Sequence, residues 1–346
     1  MINLRYLNIA ATFLLLFLIV YILFIGKALI LPLVIALVFW YIIIRLAALY
    51  QRIQINHWHI PYGLALVIAL ITGGMVLYLF FVILSYSISN IISAAPLYQQ
   101  KLQQILDYAN HLISGKLNIN QLISEVNLTH LFSKLALLVS TTASNFVLIL
   151  IYMLFLFLEH RTFNTKLKAM CNSDHQYRKV NSLINRIGND INSYLKIKTG
   201  VNLIAGFASF IVLLGFGITY AEFWGVLFFI VHYIPYVGPI AGIILVLLAA
   251  SIQIVHLLPF IILAILLAII QFGTGNFLEP RWLGTRLNLS PFVILISLAF
   301  WASIWGILGM ILCVPIMVII NIILAKFPKT RPVAVMLSAD GQVETE

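Results

Sequence analysis

The sequence predicts an all-α polytopic membrane protein of about eight membrane segments, two of them broken or re-entrant hairpins related as an inverted repeat. Three observations carry this prediction. First, the 346 residues are 63% hydrophobic and 9% charged, with a mean hydropathy of +1.09, which is more apolar surface than one aqueous core can hide. Second, no Asp, Glu, Lys or Arg occurs from Phe223 to Leu278 or from Leu287 to Ala325. Third, those runs are interrupted by Pro235-Tyr236-Val237-Gly238-Pro239 and by Trp305-Gly306-Ile307-Leu308-Gly309. A spanning helix needs only ~20 apolar residues, so both breaks fall at membrane depth, where opened backbone must be enclosed by protein or line a path.

In chain order, residues 1–84 form scaffold spans. Ile9 to Ile25 and Ala28 to Ile44 make a helical hairpin joined at Gly26-Lys27, and Gly63 to Leu84 is the third span. Residues 85–134 are polar. Tyr98, Leu102, Ile105, Ala109 and Leu112 recur there at helical spacing after Pro96, and a second amphipathic piece follows from Ile119. Residues 135–158 are the fourth span. In 159–198, Ser173-Asp174 caps a helix with an apolar face of Tyr177, Val180, Ile184, Ile187, Ile191 and Leu195, expected to lie along the inner membrane surface. Residues 199–325 form a transport unit: a span to Thr219, a broken segment from Phe223 to Val255 with its tip at Pro235 to Gly242, a span from Leu257 to Leu278, and a second broken segment with Gly306, Gly309 and Pro315 near its middle. Residues 326–346 are a tail.

Charge sets the orientation. The loop 159–198 carries eight Lys or Arg against three acids and reads as cytoplasmic, which places both termini inside and 85–134 outside. The alternative, in which each broken segment crosses as one tilted helix, moves Glu279, Arg281 and Arg286 to the outer face, and charge bias does not separate the two. The net charge of +10 lies in short segments between apolar runs, where it meets lipid head groups; it forms no nucleic-acid groove. Cys171 and Cys313 suggest neither a disulfide nor a metal cluster. No catalytic triad, metal cluster or phosphate-cradling glycine loop appears, so no catalytic residue, metal or cofactor is expected, and transport would draw on an ion gradient or run downhill.

Several residues stand out within the apolar runs. Glu279 is the only acid between Glu222 and Asp340; it either couples transport to a proton or cation, or is neutralised by Arg281 and Arg286. His232, one turn before the first break, either titrates with it or packs. Pro235, Tyr236, Gly238 and Pro239 at the first break, and Gly306 and Gly309 at the second, are candidates for meeting solute, because proline removes donors and glycine permits close backbone approach. Gln271, Asn276 and Asn321 either bind a hydroxylated ligand or bond between helices. Trp224, Tyr233, Tyr236, Trp301 and Trp305 are stacking candidates, although interfacial belts commonly explain such residues, Trp224 above all.

Tyr233-Ile234-Pro235-Tyr236-Val237-Gly238-Pro239-Ile240, Asn276-Phe277-Leu278-Glu279-Pro280-Arg281-Trp282-Leu283-Gly284 with Leu289-Ser290-Pro291, and Trp305-Gly306 to Met310 with Val314-Pro315 resemble, in order, signature segments of the autoinducer-2 exporter-like permease family. Tyr194 to Thr199 sits where that family leads into its fifth span. The resemblance covers roughly Asn3 to Lys326. It implies a bacterial inner-membrane permease, homo-oligomeric and expected to be a pentamer, that moves a small polar solute or signalling molecule by an elevator-like motion. Sodium-proton exchange is also associated with the family, so a monovalent cation-proton antiporter stands as the alternative and a non-transporting scaffold as a second.

Overall fold

The computed structural model describes residues 4–52, 54–55, 58–112, 145–160, 162–254, 256–284 and 288–342. The amphipathic piece expected from Ile119, the first part of the fourth span and Arg286 lie outside them. The chain forms two compact units: Met1–Met75 with Ser144–Ile187 and Leu289–Glu346, and Val76–Ala143 with Gly188–Asn288.

In the first unit, α1 (Leu4–Ile25) and α2 (Lys27–Tyr50) meet at Gly26 as the sequence predicts. A ribbon of two-residue strands, Gln54–Ile55 and Trp58–His59, leads to α3 (Tyr62–Leu112). The core joins Ala36, Ile43 and Ala47 of α2 to Ala65 and Ala69 of α3 and to Ile149 and Met153 of α4 (Phe146–His160). Four of these seven are alanine, which lets helices approach closely where the hydrophobic effect cannot drive them together. A short helix α5 (Phe163–Met170) precedes α6 (Asp174–Gly215).

Two long helices correct the sequence reading. The helix expected to begin after Pro96 is a continuation of the third span, since α3 runs through that proline for 51 residues; one proline removes one intrahelical bond without forcing an end. Likewise α6 runs unbroken for 42 residues. With no proline anywhere in it, its amphipathic half continues into the span and does not turn to lie along a membrane surface.

The last apolar run, α11 (Pro291–Lys326), has helical hydrogen bonding throughout except at Gly306, whose φ is 63° and ψ −141°. A straight 36-residue helix would hold its ends roughly 54 Å apart. The Ser290 N–H nevertheless donates to the Leu337 carbonyl at 2.9 Å, and Thr330 Oγ1 donates to the Leu324 carbonyl at 2.8 Å. Only α12 (Arg331–Leu337), a helix of seven residues or roughly 10 Å, lies between these contacts. The two ends of α11 are therefore close, and the run is a hairpin folded at Gly306. That backbone geometry is nearly restricted to glycine, so Gly306→Ala is expected to lower the apparent melting temperature in detergent by an amount equivalent to about 1–3 kcal/mol. A Tm unchanged from the native protein would show that the turn tolerates a side chain.

In the second unit the first broken segment is also a hairpin. Its arms are α7 (Ala221–Val231) and α8 (Val237–Gln253). At the base, Gln253 Oε1 accepts from the Thr219 N–H at 2.7 Å, so the segment returns to where it began. At 11 and 17 residues the arms are roughly 16 and 25 Å long, each short of a hydrocarbon core of about 30 Å. The next helix reads as one rod from Leu257 to Leu283: α9 (Leu257–Gly273), a π turn (Thr274–Leu278) and α10 (Glu279–Leu283). Pro280 cannot donate to the carbonyl one turn back, and the wider turn before it accommodates its ring. The core packs Phe223, Trp224, Leu227 and Phe228 of α7 against Val246, Ala249 and Ala250 of α8, Leu263 and Leu267 of α9, and Leu213 of α6. Trp224 is thus a core residue, neither a ligand stacker nor an interfacial belt residue.

Among the described residues, five helices are long and apolar enough to cross a membrane, or six if the bent α4–α5 pair is one span. α11 counts among the five by length, although its turn at Gly306 makes it two arms. Large apolar side chains such as Leu203, Phe207 and Leu214 of α6 are exposed, as lipid-facing surfaces require.

Candidate functional site

The first hairpin tip is built from a short chain of local bonds. After α7, the Tyr233 N–H donates to the Ile230 carbonyl and the Ile234 N–H to the Val231 carbonyl. The Val237 N–H then donates to the Pro235 carbonyl at 2.6 Å across Tyr236, whose φ is 59° and ψ −52°. That is a γ-turn of the rarer, strained hand. The Gly238 N–H donates to the Ile234 carbonyl at 3.2 Å and α8 begins. Gly238 is buried: a Cβ there would sit 1.7 Å from the Val231 carbonyl oxygen, and one on Gly242 2.8 Å from the Phe228 ring. In this conformation Gly238 serves close packing, and its amide is engaged within the tip. Tyr236 and Val237 are the exposed part of the tip, and Pro235 and Pro239 are half-buried beside them.

The second tip, in the first unit, uses the same device. A Cβ on Gly309 would lie 2.0 Å from the Trp301 carbonyl oxygen, with Gly306 as the turn residue. The equivalence is therefore Tyr236 with Gly306 and Gly238 with Gly309. Trp301 and Trp305 are buried with ring centroids 5.0 Å apart, and Trp305 Nε1 donates to the Leu23 carbonyl of α1 at 3.1 Å. Both are packing residues here.

Within the second unit, polar groups from three elements meet at and below the first tip. Lys198 of α6 grips the Glu279 carboxylate with Nζ 2.6 Å from Oε1 and 2.7 Å from Oε2; the two side chains are 3% and 19% exposed. The salt bridge anticipated for Glu279 exists, but its partner lies 81 residues away in sequence. Arg281 is exposed. Thr199 Oγ1 and the Tyr233 hydroxyl are 2.7 Å apart, tying the tip to α6. Trp282 lies across α6 at Gly200, where a Cβ would come within 3.1 Å of its ring.

Deeper in the unit, His232 Nδ1 and Gln271 Oε1 are 2.9 Å apart, and Gln271 Nε2 donates to Ser209 Oγ at 3.0 Å. The amide oxygen can only accept, so Nδ1 carries the proton and Nε2 is left as an acceptor. Nε2 has no partner, and it faces Gly275. Thus Lys198, Asn202 and Ser209 of α6, His232 beside the tip, and Gln271 and Thr274 are buried polar residues, and with the partly buried Tyr233 and Glu279 they form a polar seam in an otherwise uncharged region. His232 and Gln271 are bonded to each other, and Gln271 bonds between helices, whereas Glu279 is held separately by Lys198. Asn276 is exposed and donates to the Phe272 carbonyl of its own helix, and Gly306, Gly309 and Asn321 belong to the other unit. Asn202 and Ser209 went unread in the sequence, although with Lys198 they follow one another at helical spacing in a run without other strongly polar residues on that face.

A multi-pass helical protein with two apolar hairpins that return on themselves and a polar seam beside one tip is a membrane transport protein. The sequence profile described as AI-2E family transporter matches residues 11–329, and the chain belongs to that family. It is 29% identical over 300 residues to the AI-2 transport protein TqsA of Escherichia coli K12, covering 81% of this chain and 82% of that one. It is 29% identical to a putative transport protein of Borreliella burgdorferi, covering 73% and 70% of the two chains. A putative transport protein of Haemophilus influenzae is 32% identical, covering 61% and 60%.

Proposed function

We propose that this protein carries a small polar solute or signalling molecule across the bacterial inner membrane, with the first hairpin as the moving part in an elevator-like motion. The observation that carries this reading is the buried seam beside the tip: polar and charged groups sheltered from lipid are costly and mark pathways. The strained γ-turn at Tyr236 and the left-handed Tyr220, φ 60°, flank α7 and supply hinges. Pro235, Tyr236, Pro239 and Gln271 contact the passing solute, with Asn276 contributing in another conformation. The relative's name makes AI-2 the first solute to offer. The complete assembly has eight membrane segments, cytoplasmic termini, a lipid-covered rim and a homo-oligomeric, pentameric state.

The buried Glu279 favours a second reading, a sodium-proton antiporter in which Glu279 and His232 carry the ion. Purified protein in liposomes, offered AI-2-like sugars and sodium in parallel with protein-free liposomes as the control, is expected to pass sugar faster than the control. Dye-reported proton exchange on a sodium pulse would favour the antiporter. Flux of neither above the control would leave a non-transporting scaffold.

A further inference from the structure

Along α6 the buried residues Lys198, Asn202 and Ser209 share one face. Lys198 is engaged by Glu279 and Ser209 by Gln271. Asn202, between them, is 0% exposed, and neither its Oδ1 nor its Nδ2 has a partner. Leaving both ends of a carboxamide unbonded in a buried place is a substantial cost that folded proteins avoid without cause. Its own protomer buries it, so neither lipid nor a second copy reaches it.

The chemistry of that ligand follows from the groups on offer. The amide presents an acceptor and donors. An inorganic cation would satisfy Oδ1 alone, and an anion Nδ2 alone; a hydroxyl donates and accepts at once. One turn away the Lys198 ammonium already occupies the Glu279 carboxylate, so the pair is neutral and holds no open place for a free cation. We propose that Asn202 is a specificity-determining residue that hydrogen-bonds a neutral, hydroxyl-bearing solute, in a site from which the tethered Lys198 ammonium excludes inorganic cations. The assignment rests on the reading of the chain as a solute transporter. In this conformation the site is closed, and the tip bonded to Thr199 is what must move to open it.

Asn202→Leu, which keeps the branched shape and the number of side-chain heavy atoms but is apolar, separates this role from a structural one. Proteoliposomes bearing native protein, Asn202→Leu or Asn202→Asp are supplied with labelled D-ribose, lactate or sodium, and the Tm of each protein is read with and without each solute. Native protein is expected to take up ribose and to be stabilised by it, in preference to lactate and sodium. Asn202→Leu is expected to be at least as stable as native, because the unbonded amide is gone, while its ribose uptake falls about tenfold or more, the equivalent of losing a pair of hydrogen bonds in a buried site. Asn202→Asp, which adds a carboxylate, is expected to lose ribose and gain stabilisation by sodium. Three results overturn the assignment: Asn202→Leu less stable than native, which makes the amide structural; Asn202→Leu stable and transporting ribose at the native rate, which makes its companion a trapped water; or native protein preferring sodium or lactate. Native protein that moves no solute removes the transport reading along with it, whereas native transport with an indifferent Asn202→Leu removes this inference alone.

Discussion

Lys198→Met is expected to destabilise the protein by about 3–5 kcal/mol, because it leaves the Glu279 carboxylate in the seam without its counter-charge. The reasoning turns on burial. An exposed pair of the same geometry contributes about 0–1 kcal/mol, but here the ammonium is 3% and the carboxylate 19% exposed. Glu279→Gln on the same background is expected to recover most of the loss, since a neutral amide needs no counter-ion. The check is a thermal-unfolding series in one detergent on the native, single and double variants. A single variant melting with the native protein would mean that water or lipid head groups already solvate Glu279, and the neutral-site argument would fall with it.

Gly238→Ala is expected to be the most damaging single methyl addition in the second unit, at or above the top of the about 1–3 kcal/mol range for overpacking. The added carbon would sit 1.7 Å from the Val231 carbonyl oxygen, a backbone atom at the end of α7 that cannot rotate away. Relief requires the arms of the hairpin to separate, which opens the γ-turn and withdraws Tyr233 from Thr199. Gly309→Ala meets the Trp301 carbonyl oxygen at 2.0 Å and is expected to behave alike. The internal control is Gly74→Ala in α3, where nothing lies within 4 Å and loss of unfolded-state freedom stabilises by about 0.4–1 kcal/mol. Melting temperatures of the three purified variants decide it. Gly238→Ala melting with Gly74→Ala would show that the arms are not held at the separation described.

Much of the architecture was legible because lipid makes its demands locally. Chain segments such as Leu257 to Leu278 announce themselves by length and lack of charge, and the two breaks by Pro and Gly, whatever else surrounds them. The surface helix expected over 174–195 was misplaced for the complementary reason. Apolar periodicity reports which face is buried but not the direction in which the helix continues, and from Asp174 to Gly215 no residue compels a bend. Pro96 misleads in the other sense, as a strong local signal across which α3 continues. At the site, Glu279, His232 and Gln271 stood out as polar residues in apolar runs. Asn202 and Ser209 have the same character, but they sit in a span that carries neither a proline break nor an acid to mark it.

The sequence by itself determined that the chain enters the membrane many times, that two of its apolar runs are interrupted by Pro and Gly at membrane depth, and that Glu279 is an isolated acid among apolar spans. Each of these follows from the free energy of a few consecutive residues in hydrocarbon. Only the tertiary structure decided that Lys198, not Arg281, supplies the counter-charge, that Gly238 is required by the Val231 carbonyl and not by a ligand, and that Asn202 is enclosed with both ends of its amide open. Those facts depend on which helix faces which across long sequence separations, and such pairings follow from the packing of whole faces, which no local run of residues encodes.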